Sequence, residues 1–248
     1  MNTRQQDIIV LTEKYGEVTI KDLAKQLNVT EMTIHRDLDY LESEKLVHKK
    51  RGAAVFIENT KIARINFYSD EKRIIGKKAA SLLSTGQSVI FDNSTTAEEC
   101  AKFLNNSFKL TCYTTSLEIA QIIAKSGNHI LYCCGGYYFP DSYGFVGQHA
   151  ETFVSSIKAD VAIVGASGIS IEQGITNPYP MHNNLQRSII KSAKKCILLA
   201  DHSKFDRVAM EKTCELADID TIITDDGLSK EVLERYKNHI NIMIAGEK

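Results

Sequence analysis

Proline is scarce in this chain, three in 248 residues, and its fourteen glycines are too few for a long low-complexity linker. No apolar run approaches the ~18 residues needed to cross a bilayer, which excludes a transmembrane helix and any membrane partner. The opening stretch, MNTRQQDIIVLTEKYGE, has too short an apolar core for a secretory signal, so a soluble, cytoplasmic chain is expected. CxxC is missing among the six cysteines, and most of these lie in apolar runs such as HILYCC and KCILLAD. There a thiol is expected to act as a small buried hydrophobe. HxxxH and HExxH are missing among the seven histidines, so no metal site is expected. GxGxxG and GxxxxGK[ST] are missing too; this argues against dinucleotides and triphosphates, and no cofactor is expected. Charge of one sign is also lacking. With a net charge of −1, any nucleic-acid contact must rest on local patterning.

What is present is an ordinary globular composition, 43% apolar and 25% charged, at a length suited to a small domain plus a larger one. The texture changes near residue 57. Before it, Ile20, Leu23, Ala24 and Leu27 form one helical stripe, and Ile34, Leu38 and Leu41 form another. An earlier helix is suggested by Ile8, Leu11 and Tyr15, ending at Gly16. LVHKKRGAAVFI then reads as two strands about a glycine turn. Three helices and a hairpin outline a winged helix-turn-helix over residues 1–57. Residues 58–73 are polar and weakly periodic and read as connector. From 74 to 248, apolar strands alternate with amphipathic helices: SVIFD, KLTCYTT, HILYCC, DVAIVGA, KCILLAD, DTIITD and NIMIA. That alternation implies βαβ units and a largely parallel, Rossmann-like α/β sheet with helices on both faces.

A recognition helix needs one apolar face for its own domain and a polar face for the groove. The Ile34, Leu38, Leu41 stripe aims Met32, Thr33, His35 and Arg36 outward. Arginine forks onto guanine acceptors, and Thr and His are shorter donors. Thr30 is placed to cap the helix and to meet phosphate. Asp37, Asp39, Glu42 and Glu44 would repel DNA and are expected on the lateral or rear faces. Lys45, His48, Lys49, Lys50 and Arg51 gather in the hairpin region as a phosphate clamp. The competing reading is a protein-interaction module with a solvated basic loop, since acids and bases are equal in number over residues 1–57.

In open α/β sheets, ligands bind outside the carboxyl ends of the strands. Those ends carry Asp92 with Asn93, Ser94, Thr95 and Thr96; Thr114, Thr115 and Ser116; Gly135 and Gly136; Ser167 and Gly168; and Asp201 with His202, Ser203 and Lys204. Hydroxyls at a helix start favour an anion, Lys204 adds a positive charge, and Asp92 or Asp201 could accept from sugar hydroxyls. Phosphate and polyol recognition follows. The alternatives are simple capping by Ser94, Thr95 and Thr96, and a structural Asp201–Lys204 ion pair.

KDLAKQLNVTEMTIHRDLDYLESEKLVHKKRGAA resembles the N-terminal domain of DeoR-family bacterial transcription regulators. In them the turn usually continues valine-serine, two variable positions and TIRRDL, and the wing ends HGGA. Here Thr30 stands for serine, His35 for the first arginine, and RGAA for the wing end. The resemblance continues through EKRIIGKKAASLL, FDNSTT, the Thr-Thr-Ser, the double glycine, GFVG, GASGI, GIT, LADHSKF and ITD. It implies a sensor domain related in fold to ribose-5-phosphate isomerase. It also implies double-stranded operator DNA and a sugar phosphate as partners, repression of a carbohydrate operon, and a homo-oligomer, dimer or tetramer. LADHSKF is similar to the Asp-x-Ser-Lys element of those isomerases, in support of Asp201 and Lys204. Thr176 in GIT and Arg187 join the expected effector set. The family's Asp-Ser-Gly-Thr-Thr has lost its glycine, Ser94 standing in its place. His182 to Gln186 lack the glutamate and lysine of many relatives, so the effector is not transferable from any of them. The same gap counts against the rival reading, a sugar-phosphate isomerase with an accessory DNA-binding domain. That enzyme would need a placed general base, for which Asp92 is the candidate.

Overall fold

The computed structural model describes residues 2–44, 46–56, 68–140 and 144–246. The chain divides into two units, Met1–Phe67 and Tyr68–Lys248.

In the first unit, α1 (Thr3–Tyr15) starts at a reciprocal cap, in which Asn2 and Gln5 each accept from the other's backbone N–H at 2.9 Å. It ends at Gly16 and is followed by a short strand, β1 (Glu17–Thr19), that the hydrophobic pattern did not announce. Then come α2 (Ile20–Gln26) and α3 (Glu31–Ser43), joined through Asn28, which takes φ 51°. Strands β2 (Val47–Lys50) and β3 (Ala53–Phe56) form the hairpin, and β1 pairs with β3 to complete a three-stranded antiparallel sheet. Ile8, Ile9, Leu23, Ile34, Leu38, Leu41, Val47 and Ala54 make its core. Each such aliphatic side chain, fully buried, contributes about 1.5–3 kcal/mol before entropy is counted. This is the expected winged helix-turn-helix.

The second unit begins with α4 (Ser69–Ser81), so residues 69–73 of the expected connector are helix, and 58–67 lie outside the described residues. There follow β4 (Ser88–Phe91), α5 (Thr95–Lys102), β5 (Thr111–Thr114), α6 (Leu117–Ser126) and β6 (Ile130–Cys133). A two-stranded ribbon, β7 (Tyr137–Phe139) with β8 (Gly144–Val146), leads to α7 (Gln148–Ser155) and β9 (Ala159–Gly165). Next are β10 (Gly168–Ser170), β11 (Gly174–Asn177), α8 (Pro180–Lys191) and β12 (Ala193–Leu199). The last elements are β13 (Glu211–Cys214), β14 (Thr221–Thr224), α9 (Lys230–Lys237) and β15 (Asn241–Ile244).

All seven strands expected from the apolar runs form one parallel sheet, in the order β15-β14-β12-β9-β4-β5-β6. Their continuous apolarity has a plain cause: both faces are covered. Val89, Phe91, Ile163 and Leu199 face α4, α5 and α6, while Ile90, Ala162, Val164 and Leu198 face α7, α8 and Tyr236 of α9. Gly76 lets α4 press on α5, because a Cβ there would lie 2.6 Å from the Cys100 backbone nitrogen. At the amino edge, Asp160 of β9 accepts from Ser88 N and Oγ of β4 (2.9 and 2.8 Å) and from Lys194 of β12 (2.7 Å). Strands β10, β11 and β13 form a separate antiparallel sheet that the sequence reading missed. Four cysteines are buried, and burial pushes the Cys112 thiol up to about 12. Cys133, expected inside with its neighbours, is exposed on the edge strand β6, and Cys214 is half-buried.

Candidate functional site

Helix α3 begins where Thr30 accepts from Thr33 N at 3.3 Å, and the two hydroxyls sit 2.9 Å apart. Met32 is 67% exposed, and Arg36 one turn on is exposed with no partner among the described residues. Thr33 and His35 are half-buried. Tyr40, a further turn along the same face, is 40% exposed and was not anticipated. Of the acids expected on the lateral or rear faces, Asp37 is buried, Glu42 and Glu44 are half-buried and Asp39 is exposed. Asp37 turns inward, 4% exposed, and takes Arg4 Nε at 2.5 Å and Gln5 Nε2 at 3.1 Å.

The wing is less simple than a cluster of free cations. Lys49 pairs with Asp39, and its backbone N–H donates to Glu42 at 2.8 Å. Lys50 pairs with Glu17 at 2.9 Å, and His48 faces Glu42 at 3.2 Å. Arg51 in the turn is exposed and unpaired among the described residues; Lys45 lies outside them. In this unit Asp37, Asp39 and Glu17 are thus paired with Arg4, Lys49 and Lys50.

In the second unit the strand order reverses between β4 and β9, whose carboxyl ends lie side by side. A crevice at such a reversal is the usual ligand position in an open α/β sheet. Asp92, 1% exposed, spans it: Oδ1 accepts from Ser94 N at 2.8 Å, while Oδ2 accepts from Gly165 N at 2.8 Å and Gln186 Nε2 at 2.9 Å. Gly165 leaves the room for this, since a Cβ would lie 2.5 Å from that of Ser94. Gln186 also donates to the Gly165 carbonyl at 2.8 Å and accepts from Asn177 at 2.8 Å. Asn177 donates to Thr213 at 3.0 Å, and Thr213 donates to Asn183 at 2.5 Å. Next to this network His182 meets Asn93 through Nε2 and Oδ1.

These contacts sort the expected effector residues. Asp92 organises the crevice from within, both oxygens engaged. Ser94 caps α5, accepting from Ala97 N at 3.2 Å, while Thr95 is half-exposed and Thr96 buried beside it. Thr115 is buried at the end of β5, and its hydroxyl has no partner among the described residues. Gly135 and Gly136 are exposed between β6 and β7. Asp201, 1% exposed, accepts from Ser203 N at 3.1 Å and caps a 3-10 turn (His202–Lys204). The Asp201–Lys204 ion pair is not formed, and half-buried Lys204 is unpaired among the described residues. Two residues lie elsewhere. Thr176 sits in the small antiparallel sheet, donating to the Gly168 carbonyl at 3.3 Å and accepting from Ala209 N at 2.8 Å. Arg187 pairs with Glu211 at 2.8 Å.

One buried pair escaped the sequence reading. Asp225, at the end of β14, accepts from His202 Nδ1 at 2.6 Å and His202 N at 2.8 Å. The hydrogen bond it donates to Asp225 lifts the His202 imidazole above its ordinary value, with the Asp225, Asp201 and Glu71 charges adding in the same sense against burial. Burial opposes ionisation of Asp225, yet the bonds from His202 hold its carboxyl below the usual range. Among the described residues, no group of His, Cys, Asp and Glu has a metal-binding arrangement, and no helix is long and apolar enough to cross a membrane.

Residues 67–226 match the family described as the DeoR C terminal sensor domain, and residues 4–60 match the DeoR-like helix-turn-helix domain. The chain belongs to the DeoR family. Relatives of this DeoR-family chain include the HTH-type transcriptional repressor GlcR of Bacillus subtilis, 34% identical over 88% of this chain and 86% of that one. The glycerol-3-phosphate regulon repressor of Haemophilus influenzae is 32% identical over 90% and 89%. The lactose phosphotransferase system repressor of Lactococcus lactis is 30% identical over 98% of both. Among solved structures, ribose 5-phosphate isomerase A of Methanocaldococcus jannaschii is similar with a TM-score of 0.42 and 16% identity, over 56% of this chain and 55% of that one. The DeoR-family chain thus spans about half the length of that solved structure.

Proposed function

We propose that this chain is a transcriptional repressor of a carbohydrate operon whose operator affinity is set by a phosphorylated sugar. The observation that carries the reading is the strand-order reversal between β4 and β9, with Ser94, Thr95 and Thr96 following the carboxyl end of β4 and Thr115 that of the neighbouring β5. The 3-10 turn that supplies Asp201 and the unpaired Lys204 follows β12, the neighbour of β9. Hydroxyls and backbone N–H groups at the start of α5 suit an anion, and Lys204 adds a charge-assisted donor. The three relatives above are named as repressors, and two of those names refer to glycerol 3-phosphate and to a lactose phosphotransferase system.

On the DNA side, Thr30, Met32, Thr33, His35 and Arg36 form the reading edge of α3, with Lys49, Lys50 and Arg51 on the backbone. Arg36 is the base-reading residue, because it is exposed and unpaired. A single winged helix contacts few bases, so two half-sites and a homo-oligomer are part of the proposal. Catalysis is not: Asp92, the base the isomerase reading offered, is 1% exposed and both its oxygens already accept from internal donors, Ser94 N, Gly165 N and Gln186 Nε2.

Selection of bound duplexes from random-sequence DNA supplies the operator. Calorimetry with glucose 6-phosphate, ribose 5-phosphate, glycerol 3-phosphate and their unphosphorylated forms then tests the sensor. Binding of one phosphorylated form, with an accompanying change in operator affinity, is expected. Operator affinity indifferent to every sugar phosphate that binds would overturn the reading.

A further inference from the structure

Tyr68 is the residue with which the sensor unit begins, directly after the segment that follows the wing. Its backbone lies in the left-handed region, φ 49° and ψ 42°. Among the described residues only Asn28, Tyr68 and Asp206 take positive φ without being glycine. Asn and Asp tolerate that region; a bulky aromatic residue there is an outlier that its surroundings must hold in place. Tyr68 gives α4 no side-chain cap, but its carbonyl accepts from Lys72 N at 2.8 Å and so sets the first turn of the helix.

Part of what holds Tyr68 is His202. The two rings meet edge to face, centroids 5.0 Å apart and planes at 79°. His202 is itself fixed from below by Asp225 at two points, and Asp225 is fixed by Gly227 N at 2.9 Å. His202 also belongs to the 3-10 turn that Asp201 caps and Lys204 ends. A single short turn therefore connects the group assigned to the effector phosphate with the ring that touches the strained residue.

We propose that Tyr68 and His202 are the coupling element of the sensor. A displacement of the 201–204 turn shifts His202 against Tyr68 and changes whether Tyr68 keeps its left-handed conformation. A left-handed residue held by a tertiary contact has an alternative close by, the ordinary helical or extended regions, so the element is two-state. Leaving the left-handed region redirects the backbone on the amino side of Tyr68 relative to α4. Tyr68 and His202 are positioning residues here and contact neither DNA nor effector. The inference rests on the proposed effector site at the 201–204 turn, and its test separates the two.

The full chain carrying Tyr68→Gly accepts positive φ without strain and lacks the ring. It should bind the active sugar phosphate of the panel, and ligand-free operator, within about threefold of wild type. The ligand's effect on operator affinity, about tenfold or more in wild type, should fall below about twofold. Tyr68→Phe, which keeps the ring contact, should retain the full response. A wild-type response in Tyr68→Gly would overturn the proposal and leave the contact as packing only. If no sugar phosphate binds wild type, the effector reading fails on its own. Hydrogen exchange of the Lys72 amide then decides the coupling, since His202→Ala should raise its exchange about tenfold or more if His202 holds Tyr68. Unchanged Lys72 exchange in His202→Ala would equally overturn it.

Discussion

Replacing Gln186 by leucine keeps the size of the side chain and removes the three hydrogen bonds that Gln186 makes in the buried network around Asp92. Three groups lose a partner: Asp92 Oδ2, the Gly165 carbonyl and Asn177 Nδ2. Leaving a buried polar group short costs about 1–3 kcal/mol. Asp92 keeps Gly165 N and Asn177 keeps Thr213, so the low end of that range applies to both. The sum is about 3–4 kcal/mol. For a domain of this size, that lowers the melting midpoint of the sensor transition by about 6–15 °C. Gln186→Lys retains donors for Asp92 and Gly165 and strands Asn177, so it should lose less than half as much. Calorimetric unfolding of the full chain reads both. A leucine variant within about 0.5 kcal/mol of wild type, or a lysine variant as unstable as the leucine one, would refute the network as the organiser of the crevice.

Arg36→Ala should weaken operator binding by about 1–3 kcal/mol and relax one base position, read by gel-shift titration against single-base variants. Lys204→Ala should remove about 1.5–3 kcal/mol of sugar-phosphate affinity while operator binding persists, which calorimetry and gel shift check side by side. Bonds from Lys194 and Ser88 hold the Asp160 carboxyl well below its ordinary 3.8, so its contribution is complete above that pH and is lost as pH falls through the depressed value. Asp160→Asn should therefore flatten the acid limb of urea-unfolding stability; an unaltered limb would count against the tie. His202 is shifted the other way, above 6.5, so its pairing with Asp225 is fully stabilising below 6.5 and fades as pH rises through the raised value. The stability gap between wild type and His202→Asn should be widest near pH 6 and close on the alkaline side, which unfolding across a pH series would show.

The fold was legible where burial left a repeating mark. Seven apolar runs became seven parallel strands, the central ones covered on both faces, and the Ile34, Leu38, Leu41 stripe set the inward face of α3. The sheet of β10, β11 and β13 was not legible, since Gly168–Ser170 and Gly174–Asn177 are too short for a period to emerge. The site was read by composition, and composition does not say where a side chain points. Asp92 reads as an exposed acceptor yet faces three internal donors. His182, Asn183 and Gln186 were read only for the effector contacts they would change, but they share the buried face of α8 with Leu185, Ile189 and Ile190. Amides pack there because each has a partner, and those partners lie up to ninety-four positions away in sequence. The His202–Asp225 pair was hidden for the same reason: its members join only when β12 and β14 align.

Lys49 and Lys50 turn their charges toward Asp39 and Glu17, so at long range these pairs present closely spaced opposite charges and Arg51 is left as the wing's unpaired cation among the described residues. A duplex approaching through salt solution is then drawn in weakly until it is within contact distance. Encounter should proceed nearer the unsteered rate, about 10⁵–10⁶ M⁻¹s⁻¹, than the rates reached by strongly basic binders. Under the proposed DNA contacts, each lysine exchanges a carboxylate for a phosphate on docking, so part of the gain from phosphate contact is offset by breaking an ion pair and random DNA is held less firmly. How long the protein stays on a site, rather than how fast it arrives, then decides which sites are occupied.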